Sequence, residues 1–188
     1  MLLGVSGGIA AYKACELVRL LVKGGHDVFP LLTPGAERFV RAETFFALAR
    51  RPASEDPYPH LTGADLLVVA PCTANTLAKL AHGLADSVLT EAALAHRGPT
   101  LLAPAMNPRM WSHAATQANA ALLRSRGVEL IGPDEGEMAE GEWGVGRRSR
   151  SSPRTSRSPR PRESTWSTRR LPRTSRARRS LAATPTWS

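Results

Sequence analysis

Only two cysteines occur in the sequence, Cys15 and Cys72, and neither belongs to a CxxC pair or a histidine-rich cluster. That spacing argues against a disulfide framework and against zinc, so no metal is expected. No apolar run approaches the roughly 20 residues that cross a bilayer, and no charged-then-apolar leader opens the chain. The expectation is a cytoplasmic protein without membrane contact. Two nucleotide signatures are missing as well. "GVSGGIAAYK" (4–13) is Gly-rich but is not G-x-G-x-x-G, and the second apolar run ends in Thr33 and Pro34, not in an acid for a ribose hydroxyl. This disfavours NAD. No G-K-[ST] is present, which excludes a Walker loop.

The net charge of +9 suggests a nucleic-acid binder until it is divided by region. Residues 1–147 carry 13 Lys+Arg against 15 Asp+Glu, whereas residues 148–188 carry 12 Arg against one acid, Glu163. The last 41 residues also lack Val, Ile, Met, Phe and Tyr and follow no period of 2 or 3.6. Such a segment cannot bury enough apolar area to offset its ordering entropy, so it reads as a disordered Arg/Ser/Pro-rich tail. Its abrupt start is expected to reflect a frameshifted reading of a GC-rich gene. The alternative is a basic arm contacting nucleic-acid phosphates non-specifically.

The body, 42% of the whole chain being hydrophobic, alternates short apolar runs with helical patterns. Strands are expected at 2–5, 27–33, 65–71, 100–105 and 128–133, although Pro30 is awkward inside the second. Helices are expected at 9–23, with Ile9, Cys15, Val18, Leu21 and Val22 on the apolar side, at 35–50, once or twice within 73–96, and at 114–127. Continuous apolar strands each followed by a helix indicate an α/β fold with a parallel sheet covered on both faces. Ligands of such sheets sit at the carboxyl ends of the strands. Here those ends read "SGG", "TPG", "APCTANT" and "PAMN". Hydroxyls and amides at Ser6, Thr33, Thr73, Asn75 and Thr76 suit a mononucleotide phosphate beside helix N-termini. Thr73 and Asn75 serve equally well as simple helix caps.

"SGGIAAYK", "VVAPCTANTLAKLAHGLAD" and "PAMNPRMW", in this order and spacing, resemble the FMN-dependent cysteine decarboxylases, and among them the phosphopantothenoylcysteine decarboxylases of coenzyme A biosynthesis. The resemblance covers about residues 2–147 and implies a flavodoxin-like, Rossmann-like three-layer fold acting as a homotrimer or larger assembly. It implies FMN contacts at Ser6, Gly7, Gly8, Ile9, Thr33, Thr73, Ala74, Asn75, Thr76 and Ala105. Asn107 would hold the carboxylate of a cysteine-containing small molecule, with Met110 and Trp111 walling off water. His60, in "YPHLTGAD", would take the thiol proton. "EMAEGEWGVGR" (137–147) resembles the family's mobile substrate clamp, with Gly141, Gly144 and Gly146 lending mobility. Glu140 stands where the family has a cysteine proton donor, and a carboxylic acid substitutes if its pKa is raised. Two other readings stay open: decarboxylation of a peptide's C-terminal cysteine, and a flavin-binding partner protein without turnover.

Overall fold

The computed structural model describes residues 1–52, 63–132, 134–137 and 143–147. Five strands form one sheet in the order β2-β1-β3-β4-β5, with every neighbouring pair parallel. They are β1 (Leu2–Val5), β2 (Phe29–Leu32), β3 (Leu67–Cys72), β4 (Thr100–Pro104) and β5 (Glu129–Leu130). This is the doubly wound flavodoxin-like order, whose direction of winding reverses between β1 and β3.

The strands alternate their apolar side chains between two cores. Leu2, Leu67, Val69 and Leu102 face one core with Leu77 and Ala81 of α4 (Ala74–His82), Leu89 and Ala92 of α5 (Val88–Ala95), and Ala120 and Leu123 of α7 (Ala114–Ser125). Leu3, Val5, Val68 and Ala70 face the other core. There they meet Ala11, Ala14 and Val18 of α1 (Ala11–Lys23), Ala36 of α2 (Pro34–Glu37) and Phe45 of α3 (Ala42–Leu48). Burial on both faces explains why β1 and β3 read as unbroken apolar runs.

Several elements differ from the sequence expectation. Helix 35–50 is broken into α2 and α3, with Arg41 in extended backbone as the cap of the second. The helix expected from Ile9 starts at Ala11, and Ile9 stands outside it, 54% exposed. Pro30 is accommodated because β2 is an edge strand, paired only with β1, so its missing N–H removes no second ladder. The strand expected at 128–133 shrinks to Glu129–Leu130 at the opposite edge, where it has β4 alone as partner. A short helix, α6 (Pro108–Ser112), begins right after Asn107. Beyond these, β6 (Asp134–Glu137) and β7 (Trp143–Arg147), the latter within the segment expected to act as a substrate clamp, pair as an antiparallel hairpin. Among the described residues, no helix is long and apolar enough to cross a membrane, and no cluster of His, Cys, Asp or Glu could hold a metal ion.

Candidate functional site

The carboxyl ends of β1, β2, β3 and β4 open into one cavity of about 800 Å³. Gly7 and Gly8 follow β1, Thr33 and Gly35 follow β2, Thr73 to Thr76 follow β3, and Ala105 to Asn107 follow β4, all on its wall. The folding rule of the doubly wound sheet thus brings together segments that are about 100 residues apart in the chain.

Backbone proximity explains the glycines. A Cβ on Gly7 would lie 2.6 Å from the carbonyl carbon of Gly35, so the β1–α1 and β2–α2 loops touch only because side chains are absent. The β1–α1 loop then presents the N–H groups of residues 7–10, which find no hydrogen-bond acceptor among the described residues. The helix behind them has Ala10 as a cap without a side-chain bond and no acid in its first turn. A run of N–H groups without intramolecular acceptors before a helix suits the phosphate of a mononucleotide. The opposite loops are hydroxyl-rich. Thr33 caps α2 by accepting from Ala36 N at 3.3 Å, and Thr73 caps α4 by accepting from Thr76 N at 3.4 Å. For Thr73 the cap and the cavity wall are one and the same residue, so the two sequence readings do not compete.

Ser6 sits differently from the other cofactor candidates. It is fully buried and off the cavity wall. Its hydroxyl donates to the carbonyl of Pro71 at 2.8 Å and accepts from Thr73 N at 2.9 Å, which pins the β3–α4 loop to the end of β1. Ser6 shapes the site from behind. Trp111 also departs from its expected place: it packs against the core that contains α7 and is not on the cavity wall. Met110 is on the wall and is 49% exposed.

Asn107 lines the cavity and at the same time caps α6, its Oδ1 accepting from Arg109 N at 2.9 Å. That bond fixes the plane of the amide at the exit of β4. Gly144 and Gly146 lie on β7, where Gly144 pairs with Gly136 of β6. His60, Glu140 and Gly141 lie outside the described residues, as does the whole tail.

No histidine among the described residues lines the cavity. His113 caps α7 by accepting from Ala115 N at 3.2 Å, His82 is bonded to Asn119 and His96 to the carbonyl of Pro99. The thiols offer no acid–base group either. Burial pushes Cys72 up to about 12, and burial also raises Cys15. Both are thiols at neutral pH.

Sequence reasoning missed Lys13, Lys79, Asp86, Ser87 and Thr90 on the wall. Lys79 Nζ lies 2.5 Å from Asp86 Oδ2, and that hydrogen bond holds the Asp86 carboxyl below its usual range. Thr90, almost fully buried, accepts from the N–H groups of Asp86 and Ser87 at 3.0 Å each. Ser87-x-x-Thr90 is a capping-box spacing and is the one signal in the sequence that marks this turn.

Residues 1–152 match the family described as Flavoprotein. Over 156 residues the chain is 47% identical to the coenzyme A biosynthesis bifunctional protein CoaBC of Mycobacterium tuberculosis, covering 78% of this chain and 37% of that protein. The CoaBC of Bacillus subtilis is 44% identical over 158 residues, 78% of this chain and 39% of that one. The chain therefore spans under two-fifths of the length of these curated relatives. Among solved structures, a mutant PPC decarboxylase complexed with pantothenoylaminoethenethiol is similar, with TM-score 0.69 and 30% identity over 79% of this chain and 89% of the other. The FMN-dependent cysteine decarboxylase SpaF is similar with TM-score 0.67 and 32% identity, over 77% and 87% of the two chains.

Proposed function

The chain belongs to the Flavoprotein family, and we propose that it binds FMN and decarboxylates the cysteine residue of 4'-phosphopantothenoylcysteine, yielding 4'-phosphopantetheine for coenzyme A biosynthesis. One observation carries this reading: the glycine loop suited to a mononucleotide phosphate and the Asn107 amide belong to a single cavity. The residues present fit the cofactor. Gly7 and Gly35 leave their loops in contact, residues 7–10 offer four N–H groups, and the threonines of the β2 and β3 loops ring the opening. FMN would supply the two-electron chemistry at the sulfur-bearing carbon that makes loss of CO₂ feasible.

The protein's own part is positioning and proton handling. A thiol of pKa about 8.5 is only a few per cent thiolate at pH 7, so a base is needed. His60 is assigned that role as a neutral imidazole. Asn107 donates its amide to the substrate carboxylate and loses that partner as neutral CO₂ departs, the bonding electron pair staying on the substrate carbon. Glu140 is assigned proton delivery to the product carbon, a role that requires its carboxyl to stay protonated in a dry setting. Gly141, Gly144 and Gly146 belong to the segment that closes over the substrate, and Met110 excludes water at the rim.

The same reading makes the protein a cytoplasmic homotrimer or larger assembly, with residues 1–147 as the decarboxylase domain and residues 148–188 as an appended tail. The test is CO₂ release from purified chain supplied with FMN and either phosphopantothenoylcysteine or a peptide ending in cysteine. Turnover of the first alone supports the reading. Turnover of the peptide alone replaces the substrate, and none of either with bound FMN supports a flavin-binding protein without catalysis.

A further inference from the structure

Three charged side chains stand on the described part of the cavity wall: Lys13, Lys79 and Asp86. Two of them satisfy each other, since Lys79 and Asp86 form an ion pair. Lys13 has no acidic partner among the described residues, and its ammonium group lies 5.7 Å from the centre of the Tyr12 ring. The cavity therefore carries one uncompensated positive charge on its described wall. It is placed on the first turn of α1, immediately beyond the loop of N–H groups at residues 7–10.

We propose that Lys13 is the side chain with which this cavity reads a phosphate monoester. The inference rests on the flavin reading above and extends it to a residue not counted among the cofactor contacts. An ammonium group can follow a dianion with three donors and is worth far more against a phosphate than against the neutral hydroxyl of the dephosphorylated compound. Lys13 is half-buried and lines the cavity, so its long stem can pack against protein while its ammonium group stays available to an anion. Two phosphates could be read here: that of FMN, or that of the pantothenoyl substrate.

The experiment uses the full chain and the variants Lys13→Met and Lys13→Arg. Flavin fluorescence titration gives the Kd of FMN and of riboflavin, and CO₂ release gives KM for phosphopantothenoylcysteine and its dephosphorylated form. Lys13→Met is expected to weaken the phosphorylated member of one pair about tenfold and to leave its unphosphorylated counterpart unchanged, while Lys13→Arg keeps most of the preference. The affected pair identifies the phosphate. Equal loss for both members of each pair, or no loss in either, overturns the proposal. The unmodified chain gives a second reading that does not depend on a variant's folding: the preference for the phosphorylated compound should shrink as salt rises. A preference independent of salt contradicts Lys13. If the unmodified chain binds neither flavin, the flavin reading falls and this inference falls with it, whereas flavin binding without any phosphate preference overturns Lys13 alone.

Discussion

Asn107 Oδ1 accepts a hydrogen bond from the backbone N–H of Arg109 at 2.9 Å, so the residue assigned to the substrate is also the cap of α6. The two roles separate by substitution. Asp caps a helix as well as Asn does, but it places a negative charge where the substrate carboxylate would sit. Asn107→Asp is therefore expected to keep the melting temperature within a few degrees and to lower kcat/KM by at least about a hundredfold, or ~3 kcal/mol. Asn107→Ala should lose both activity and about 1 kcal/mol of stability. Steady-state kinetics paired with thermal unfolding measures the two effects.

Ser6 predicts a structural effect that reaches the site. Replacing it by Ala leaves the N–H of Thr73 without its buried partner, while the carbonyl of Pro71 keeps only the bond from the backbone N–H of residue 6. A cost of about 1–3 kcal/mol follows for Ser6→Ala. Urea denaturation should show it, together with weaker flavin retention because the Thr73 loop is no longer pinned.

Gly7→Ala tests the contact between the two loops. The added methyl would meet the backbone of Gly35 at 2.6 to 2.8 Å, with no flexible side chain able to give way. The loops must separate, which is expected to reduce FMN affinity more than tenfold, roughly 1.4 kcal/mol or more. Titration of the variant with FMN decides it.

Cys72 gives a pH prediction. Its folded pKa of about 12 exceeds that of an exposed thiol because burial disfavours the thiolate. A pKa raised on folding stabilises the protein below the unfolded value and loses that contribution as pH rises toward the folded one. Stability should decline between about pH 9 and 12, with Cys72 supplying up to about 1.4 kcal/mol per pH unit of the slope. Cys72→Ala should remove that share. At pH 7.5 the native thiol should resist iodoacetamide, and rapid modification of Cys72 in the folded protein would contradict the assignment.

The legible parts of the sequence were those whose chemistry is local. β1 and β3 are buried on both faces, so "LLGV" and "LLVVAP" show as continuous apolar runs. The strand-end residues Gly7, Gly8, Thr33, Thr73 and Asn107 were readable because parallel topology sends every carboxyl end to the same side. The break at residues 38–41 was not readable. No Gly or Pro marks it, and the Phe and Val spacing continues across α2 and α3 while tertiary packing sets the bend. Lys13, Lys79 and Asp86 look like ordinary solvent-facing charges along the chain, and only the fold shows that they share a wall. Ser6 and Trp111 carried the right proximity in sequence but the wrong direction, since the side chain of each turns away from the cavity.

Every role proposed for these residues depends on a flavin in this cavity. The most direct measurement is the visible absorption spectrum of the purified full chain after desalting, before and after incubation with FMN. Flavin bands should stay with the protein at close to one FMN per chain. A folded, colourless protein that releases all added FMN on desalting would contradict it.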